Sequence, residues 1–266
     1  MKKKHNALEP LNQFEKEVFL KQLKIGWTYN SNALEGNTLK LGDTAFVIEH
    51  GLTVKGKSLK EHNEVIGHAR AIDLVYAYIE ADTFTPEMLF TLHKAIMTEI
   101  IIDTEAPMGA YKVVENGRYV NIEGKATYVA YPHPDSINHL MDRWFEKFGD
   151  ISTPLEGFDA CVKQYTQMHL SFASIHPFFD GNGRLARLVA NLPLLKNGYL
   201  PIIVNNENRQ EYIELLSEYN LQAKPLSSST TTLIEKNRAY DALYAFFYKQ
   251  YSNAKVLLDE IIQAKA

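Results

Sequence analysis

Apolar side chains recur at three- and four-residue steps near the middle of the chain: Phe158, Cys161, Val162, Tyr165, Met168, Phe172 and Ile175. That spacing draws one stripe down a helix and predicts a core-facing helix over residues 155–175. A first helix is expected over residues 11–34. Ser58-Leu59-Lys60-Glu61 is a capping-box pattern, so a second runs from there to about Glu80. Thr85-Pro86-Glu87 offers an N-cap residue, a proline at the first helical position and an acid in the first turn. It predicts a helix to about Glu99. Residues 184–192 are free of breakers until Pro193 and read as a helix as well. Residues 233–266 are helical by pattern and carry no chemistry that can be named.

Residues 109–132 break the helical rule. Tyr111, Val113, Val114, Tyr119, Val120, Ile122, Thr127, Tyr128, Val129 and Tyr131 are β-formers set around Asn116-Gly117 and Glu123-Gly124 turn signals. They predict one or two small hairpins on a helical body. The fold class is therefore mainly α, a helical bundle with a small β-hairpin excursion. We divide it into an N-terminal helical region (1–80), a central region (81–222) and a C-terminal helical extension (223–266).

Composition narrows the setting. The chain has 266 residues, of which 45% are hydrophobic, so a sizeable core is available. A formal net charge of -4 argues against general nucleic-acid binding. A single cysteine, Cys161, rules out an intramolecular disulfide and fits a reducing, cytoplasmic setting. No apolar run is long enough to span a bilayer. Met-Lys-Lys-Lys is followed by polar His5-Asn6 instead of an apolar stretch, so no signal peptide is expected. Ser227 to Thr232 is a run of serines and threonines, read as a polar loop between helices. On the long stripe, Cys161 and Met168 read as packing groups and His169 as a core histidine. His62 and His68 are too scattered for a metal site.

The chemistry concentrates in residues 176–187, His-Pro-Phe-Phe-Asp-Gly-Asn-Gly-Arg-Leu-Ala-Arg. His176 titrates near neutrality in water and can take a proton from a hydroxyl nucleophile. Asp180 offers a hard carboxylate oxygen of the kind that holds Mg2+ together with phosphates. Gly181-Asn182-Gly183 lets the backbone turn tightly and point successive N–H groups at an anion. The helix that follows adds positive potential to the same place. Arg184 and Arg187, three apart, lie on neighbouring positions of one helical face and suit paired contacts to phosphate. Read singly, the same residues also fit a Gly-Asn turn between two core helices, with His176 as a helix C-cap and the arginines on a solvated face.

Together they match the Fic signature, His-x-Phe-x-(Asp/Glu)-Gly-Asn-Gly-Arg-x-x-Arg, without a departure, and the chain resembles the Fic family over about residues 30–220. The related Doc kinases break that signature near Asn-Gly-Arg. Most Fic proteins move AMP from ATP onto a protein hydroxyl. The resemblance implies that His176 is the catalytic base and that Asp180 holds Mg2+. It implies that Gly181, Asn182 and Gly183 cradle the inner phosphates and that Arg184 and Arg187 bind the outer ones. Phe178 is implied as a buried anchor of the loop. Residues 31–37, Ser-Asn-Ala-Leu-Glu-Gly-Asn, resemble the family's inhibitory signature, (Ser/Thr)-x-x-x-Glu-(Gly/Asn). In isolation they are an ordinary helix end with Gly36 just past it. In the family, this glutamate reaches the second motif arginine, so Ser31 and Glu35 are implied to act on Arg187 in cis. The hairpin is then the flap on which a target protein docks as an added strand. Its borders would be residues 109–112 and 131–134, with Lys112 standing where arginine is commoner. Val129, Ala130, Tyr131 and Pro132 are implied near the nucleotide. Arg209 to Tyr212 and Asn220 resemble the helix over the adenine, with Tyr212 beside the base and Asn220 bonded to it. The alternative there is an amphipathic helix with Ile213, Leu215 and Leu216 inward.

Three functions follow from this resemblance. The first is a protein adenylyltransferase (AMPylator) autoinhibited by Glu35, with ATP as co-substrate and Mg2+ as cofactor. The second is a de-AMPylating phosphodiesterase using the same site. The third is a nucleotide-binding regulatory module. Expected partners are ATP and a target protein, with no nucleic acid and no membrane; a homo-oligomer stays open.

Overall fold

The computed structural model describes residues 5–98, 103–122 and 124–264. Helix α1 (Gln13–Leu34) starts at a capping box in which Asn12 and Glu15 bond each other's backbone N–H groups. It is followed by α2 (Leu41–His50) and α3 (Leu59–Tyr78). The latter opens on the expected Ser58–Glu61 box. Helix α4 (Pro86–Ile96) opens on Thr85, whose hydroxyl accepts from the Met88 N–H at 3.4 Å. It ends at Ile96, short of the expected end, and Glu99 lies outside the described residues. Strands β1 (Gly117–Ile122) and β2 (Lys125–Ala130) follow, then α5 (Pro134–Phe148) and α6 (Gly157–Ile175). Helices α7 (Asn182–Val189) and α8 (Leu192–Lys196) come next, then α9 (Arg209–Gln222), α10 (Arg238–Gln250) and α11 (Ser252–Gln263). The helix expected over 184–192 thus begins two residues early, inside the glycine pair. It stops before Pro193, which sits in the first turn of α8, where a missing N–H costs nothing.

Among the described residues one hairpin forms, not two. The strands pair antiparallel from Gly117 opposite Ala130 to Ile122 opposite Lys125, and the turn falls between Ile122 and Lys125. Asn116-Gly117 is not a turn: Gly117 is the first strand residue. A Cβ there would meet the Tyr128 ring and the Val129 carbonyl. Tyr111, Val113 and Val114 lie outside the strands.

Helix α6 is the axis of the core. Cys161, Val162, Tyr165, Met168, Phe172 and Ile175 are all fully buried, as the stripe predicts, while Phe158 is half-buried against Tyr199 and Tyr251. Each such side chain removed from water contributes about 1.5–3 kcal/mol. Around α6 one continuous apolar cluster takes in Phe19 and Trp27 of α1, Leu89 of α4 and Trp144 of α5. It extends to Leu188 of α7, Phe247 of α10 and Leu258 of α11. The C-terminal helices are therefore part of the core that supports the site. The run 227–232 is a loop between α9 and α10, as its composition implied. Among the described residues, no helix is long and apolar enough to cross a membrane.

Three histidines in this interior, His68, His93 and His169, are fully buried. Burial drives each below its ordinary value, His93 to about 4 and His169 to about 3, with His68 moved the same way. In the unfolded chain each titrates near ~6.5. Between those values the unfolded chain binds protons that the folded chain refuses. Each such proton lowers stability by ~1.4 kcal/mol per pH unit as the pH falls through 6.5. We expect a clearly lower melting temperature at pH 5 than at pH 7.5. An unchanged one would show that these histidines take up protons without unfolding.

Candidate active site

The site is built where α6 ends and α7 begins. His176 caps α6 in the left-handed region (φ 52, ψ 59). Among the described residues it alone does so without being glycine. That conformation costs about 1–2 kcal/mol and turns the chain sharply off the helix axis. Three devices hold the loop that follows. Phe178 is buried, its ring stacked on His93 at 3.9 Å. The Asn182 amide closes the loop on itself, accepting from the Phe178 N–H at 3.0 Å and donating to the Phe178 carbonyl at 2.8 Å. His93 accepts from the Gly109 N–H at Nδ1 (2.7 Å), which leaves Nε2 to donate to the Asp180 carbonyl at 3.2 Å.

His176 is half-buried, and its imidazole lies flat on the Tyr131 ring at 3.6 Å and 3°. Burial, helped by the Lys112 charge, lowers its pKa to about 3 against the opposing pull of the Ala173 carbonyl and Asp180. The ring is therefore neutral at pH 7. A ring N–H given to the Ala173 carbonyl leaves the other nitrogen free to accept a proton.

A few residues on, α7 presents its first turn, where the N–H groups of Asn182, Gly183 and Arg184 have no partner within the helix. The carboxylate of Glu35 lies beside Gly183 in this turn. A Cβ on Gly183 would run into Glu35 Oε1 and lie 3.3 Å from Arg187 Nη1. Glu35 caps α1 and pairs with Arg187 at 2.7 Å. Arg187, only 4% exposed, also donates to the Ser31 hydroxyl from Nε (3.2 Å) and to the Ser31 carbonyl from Nη2 (2.9 Å). Burial is the largest single influence and works against its charge, but Glu35 and the Tyr212 hydroxyl together outweigh it and the guanidinium is held ionised. The two arginines thus form no solvated face. Arg184 is buried too, donating to the Ile96 carbonyl at 3.4 Å, with Asp180 3.9 Å away.

A cleft of about 640 Å³ opens beside Tyr131 and Ser174. Val129, Ala130, Tyr131 and Pro132 line it together with Ser174 and Asn220. The Asn220 side chain accepts from the Ser174 hydroxyl at 2.9 Å.

Two expected contacts are not placed as the sequence suggested. The Asn182 side chain is buried and bonded to Phe178, because closing a five-residue loop uses both ends of its amide. Tyr212 is 4% exposed and does not line the cleft. Its hydroxyl bonds His169 at 2.8 Å, and its ring stands 6.0 Å from the Arg187 guanidinium, a support under the arginine in place of an open stacking face. Tyr219, two turns along α9, lines the cleft instead. The amphipathic alternative also fails in part, since Ile213 is exposed while Leu215 and Leu216 pack on the core. Sequence reasoning missed His93, and the tertiary contacts of Asn116, read there as a turn residue, and of Arg209, read there as part of the helix over the adenine. Arg209 donates to the Leu34 carbonyl at 2.9 Å and pins the end of α1 beside Glu35. No local pattern marks these three.

Residues 83–194 match a family model described as the Fic/DOC family. The chain is 30% identical over 217 residues to Protein adenylyltransferase Fic of Nematostella vectensis, covering 79% of this chain and 45% of that protein. It is 30% identical over 228 residues to Protein adenylyltransferase fic-1 of Caenorhabditis elegans, covering 82% and 41%. The chain thus spans under half the length of these relatives. Among solved structures, it superposes on a Fic domain containing signaling protein from Bacteroides thetaiotaomicron with a TM-score of 0.78 and 24% identity, covering 96% of this chain and 93% of that one. Fic-1 from C. elegans gives 0.73 and 22%, covering 96% and 68%. Both likenesses show a shared fold.

The loop closure can be tested on stability alone. Asn182→Ala removes both amide bonds to Phe178 and leaves a buried N–H without its acceptor, at about 1–3 kcal/mol. We expect a lower urea midpoint with an unchanged slope. A midpoint equal to wild type would mean that Phe178 packing alone holds the loop.

Proposed function

This chain carries a Fic/DOC-family domain, and we propose that it is a protein adenylyltransferase held off in cis by Glu35. The observation that carries this reading is the Glu35 carboxylate lying over Gly183 and paired with Arg187 at 2.7 Å. A buried guanidinium stands beside the first turn of α7 there, and the chain's own carboxylate pairs with the guanidinium. A nucleotide's terminal phosphate has the same chemistry. The naming of the curated relatives as adenylyltransferases supports the same activity.

In this reading the nucleoside end of ATP enters the cleft beside Val129 to Pro132 and Asn220. The phosphates run along the first turn of α7 towards Arg184 and Arg187. His176 takes the proton from the acceptor hydroxyl. The hydroxyl oxygen attacks the α-phosphorus, the bond to the bridging oxygen breaks, and pyrophosphate leaves. Most of the catalysis is then positioning and charge stabilisation. Asp180 fits a Mg2+ ligand: its carboxylate is 58% exposed at the loop, and Oδ1 already accepts from the Gly181 N–H. Among the described residues no cluster of three or more metal-binding side chains exists. One carboxylate shared with phosphates is the donor set that Mg2+ takes. Bound there, the ion would offset charge on the phosphates. With Glu35 in place, Arg187 is occupied and the in-line pose is blocked.

The hairpin suits target docking. Each of its two strands keeps an unpaired edge, and Tyr119 and Tyr128 stand exposed across the pair at 5.4 Å. An extended target segment would add as a further strand, with its hydroxyl led towards His176.

Labelling with α-labelled ATP tests the whole. Glu35→Gly should label protein well above wild type. Adding His176→Ala to that variant should remove the gain, since losing a general base costs about 10²–10⁴-fold. Equal labelling by wild type and Glu35→Gly, both folded, would end the inhibitory reading. Labelling that survives His176→Ala would place the base elsewhere.

A further inference from the structure

The residues that join the hairpin to the catalytic loop are Lys112 and Asn116, and neither belongs to the signature. The Asn116 side chain uses every polar group it has. Its amide nitrogen donates to two successive carbonyls of the loop, Phe178 and Phe179, each at 3.1 Å. Its amide oxygen accepts from Lys112 Nζ at 2.7 Å. Its backbone carbonyl accepts from the Tyr131 N–H at 3.0 Å, at the far end of the hairpin. Lys112 in turn donates its backbone N–H to the Pro177 carbonyl at 2.9 Å, and its ammonium stands 5.8 Å from the centre of the Tyr131 ring. Tyr131 lies flat on His176. The contacts close a circuit: loop, Asn116, Tyr131, His176 and loop again, with Lys112 bracing it.

We propose that Lys112 and Asn116 are positioning residues for His176, fixing hairpin and loop in the one relative placement that holds the Tyr131 ring against the imidazole. Asparagine suits the junction because two donors and an acceptor are needed at once. Aspartate lacks the donors, and glutamine carries an extra methylene. Lysine suits its place because a cation is wanted between the Asn116 oxygen and an aromatic face. Lys112 is 3% exposed, and burial lowers its pKa to about 8 against the pull of Glu115. The same ammonium is one of the charges that keep His176 unprotonated, alongside Arg118 and against Asp180. The flap border and the base therefore move as one body. A docked strand on the hairpin bears on the imidazole through Tyr131.

NMR of His176 tests this without any activity. In the intact chain, the His176 ring protons should carry the upfield ring-current displacement of a stacked tyrosine. Asn116→Ala should remove it. Lys112→Met, which keeps the stem but not the charge, should raise the His176 titration by about one unit, Arg118, Asp180 and Glu115 being unchanged. Lys112→Arg, which keeps the charge, should leave the titration at its wild-type value. A kinetic arm rests on the adenylyltransferase reading. In the Glu35→Gly background, Asn116→Ala and Lys112→Met should lower kcat by up to about 10²-fold, with KM for ATP near that of the background. Ring protons and titration that match wild type in both variants would overturn the proposal. Absence of transfer in Glu35→Gly itself would count against the transferase reading alone, and the NMR signals would still decide the positioning role.

Discussion

A guanidinium that is 4% exposed needs a counter-charge, and the structure around Arg187 is arranged to provide one. The Ser31 hydroxyl and carbonyl take two of its donors, but they are neutral. The charge itself is met by Glu35, across more than 150 residues of sequence and at 2.7 Å in space. Glu35 also lies against Gly183 in the first turn of α7, on the side where a Cβ would stand. The pair is lopsided. Arg187 is sealed, whereas the Glu35 side chain is 43% exposed. Water reaches the carboxylate, so it can be released without carrying the arginine out of the core. An anion hole with a detachable occupant is what competition with a phosphate requires.

The scaffold keeps that occupant in register. The end of α1 is clipped on two sides. Arg209 of α9 holds the Leu34 carbonyl, and Asn32 and Asn37 reach the backbone of α3 at Glu64 and Glu61. Gly36, at φ 95, lets the chain turn away immediately after the glutamate. On the other side, α7 cannot shift, because Leu185, Ala186, Leu188 and Val189 are buried in the common core. In the proposed competition, release of Glu35 would be a motion of one side chain or of the α1 end, and the arginine would stay in place.

Much of this was legible beforehand, for a physical reason that differs by element. The helices declared themselves through caps and spacing: the Ser58 box, the Thr85-Pro86 start and the α6 stripe are local and formed as expected. The signature residues share one segment, so sequence already holds His176, Asp180 and Gly183 near one another. What escaped are contacts between segments. Nothing near Asn116 says that its amide spans the Phe178 and Phe179 carbonyls, and nothing near His93 says that it stacks on Phe178. Tyr212 could not be placed from sequence, because its spacing on α9 fits a ligand face and a core face equally. Only the packing of α10, with Phe246 and Phe247 against it, turns it inward. The loop-closing bonds of Asn182 were not legible, because a polar side chain in a phosphate loop invites a ligand role and nothing local shows that the tight turn uses it.

The central claim is that Glu35 and a terminal phosphate compete for Arg187. It is tested most directly by crystal structures of the chain and of its Glu35→Gly variant, each with an ATP analogue that resists cleavage between the α- and β-phosphates. The account predicts that in the variant the γ-phosphate lies within hydrogen-bond distance of the Arg187 guanidinium, while in the wild type Glu35 keeps that contact and the phosphate is displaced. A γ-phosphate bound to Arg187 with Glu35 still paired to it, or one that avoids Arg187 in the variant, would contradict it.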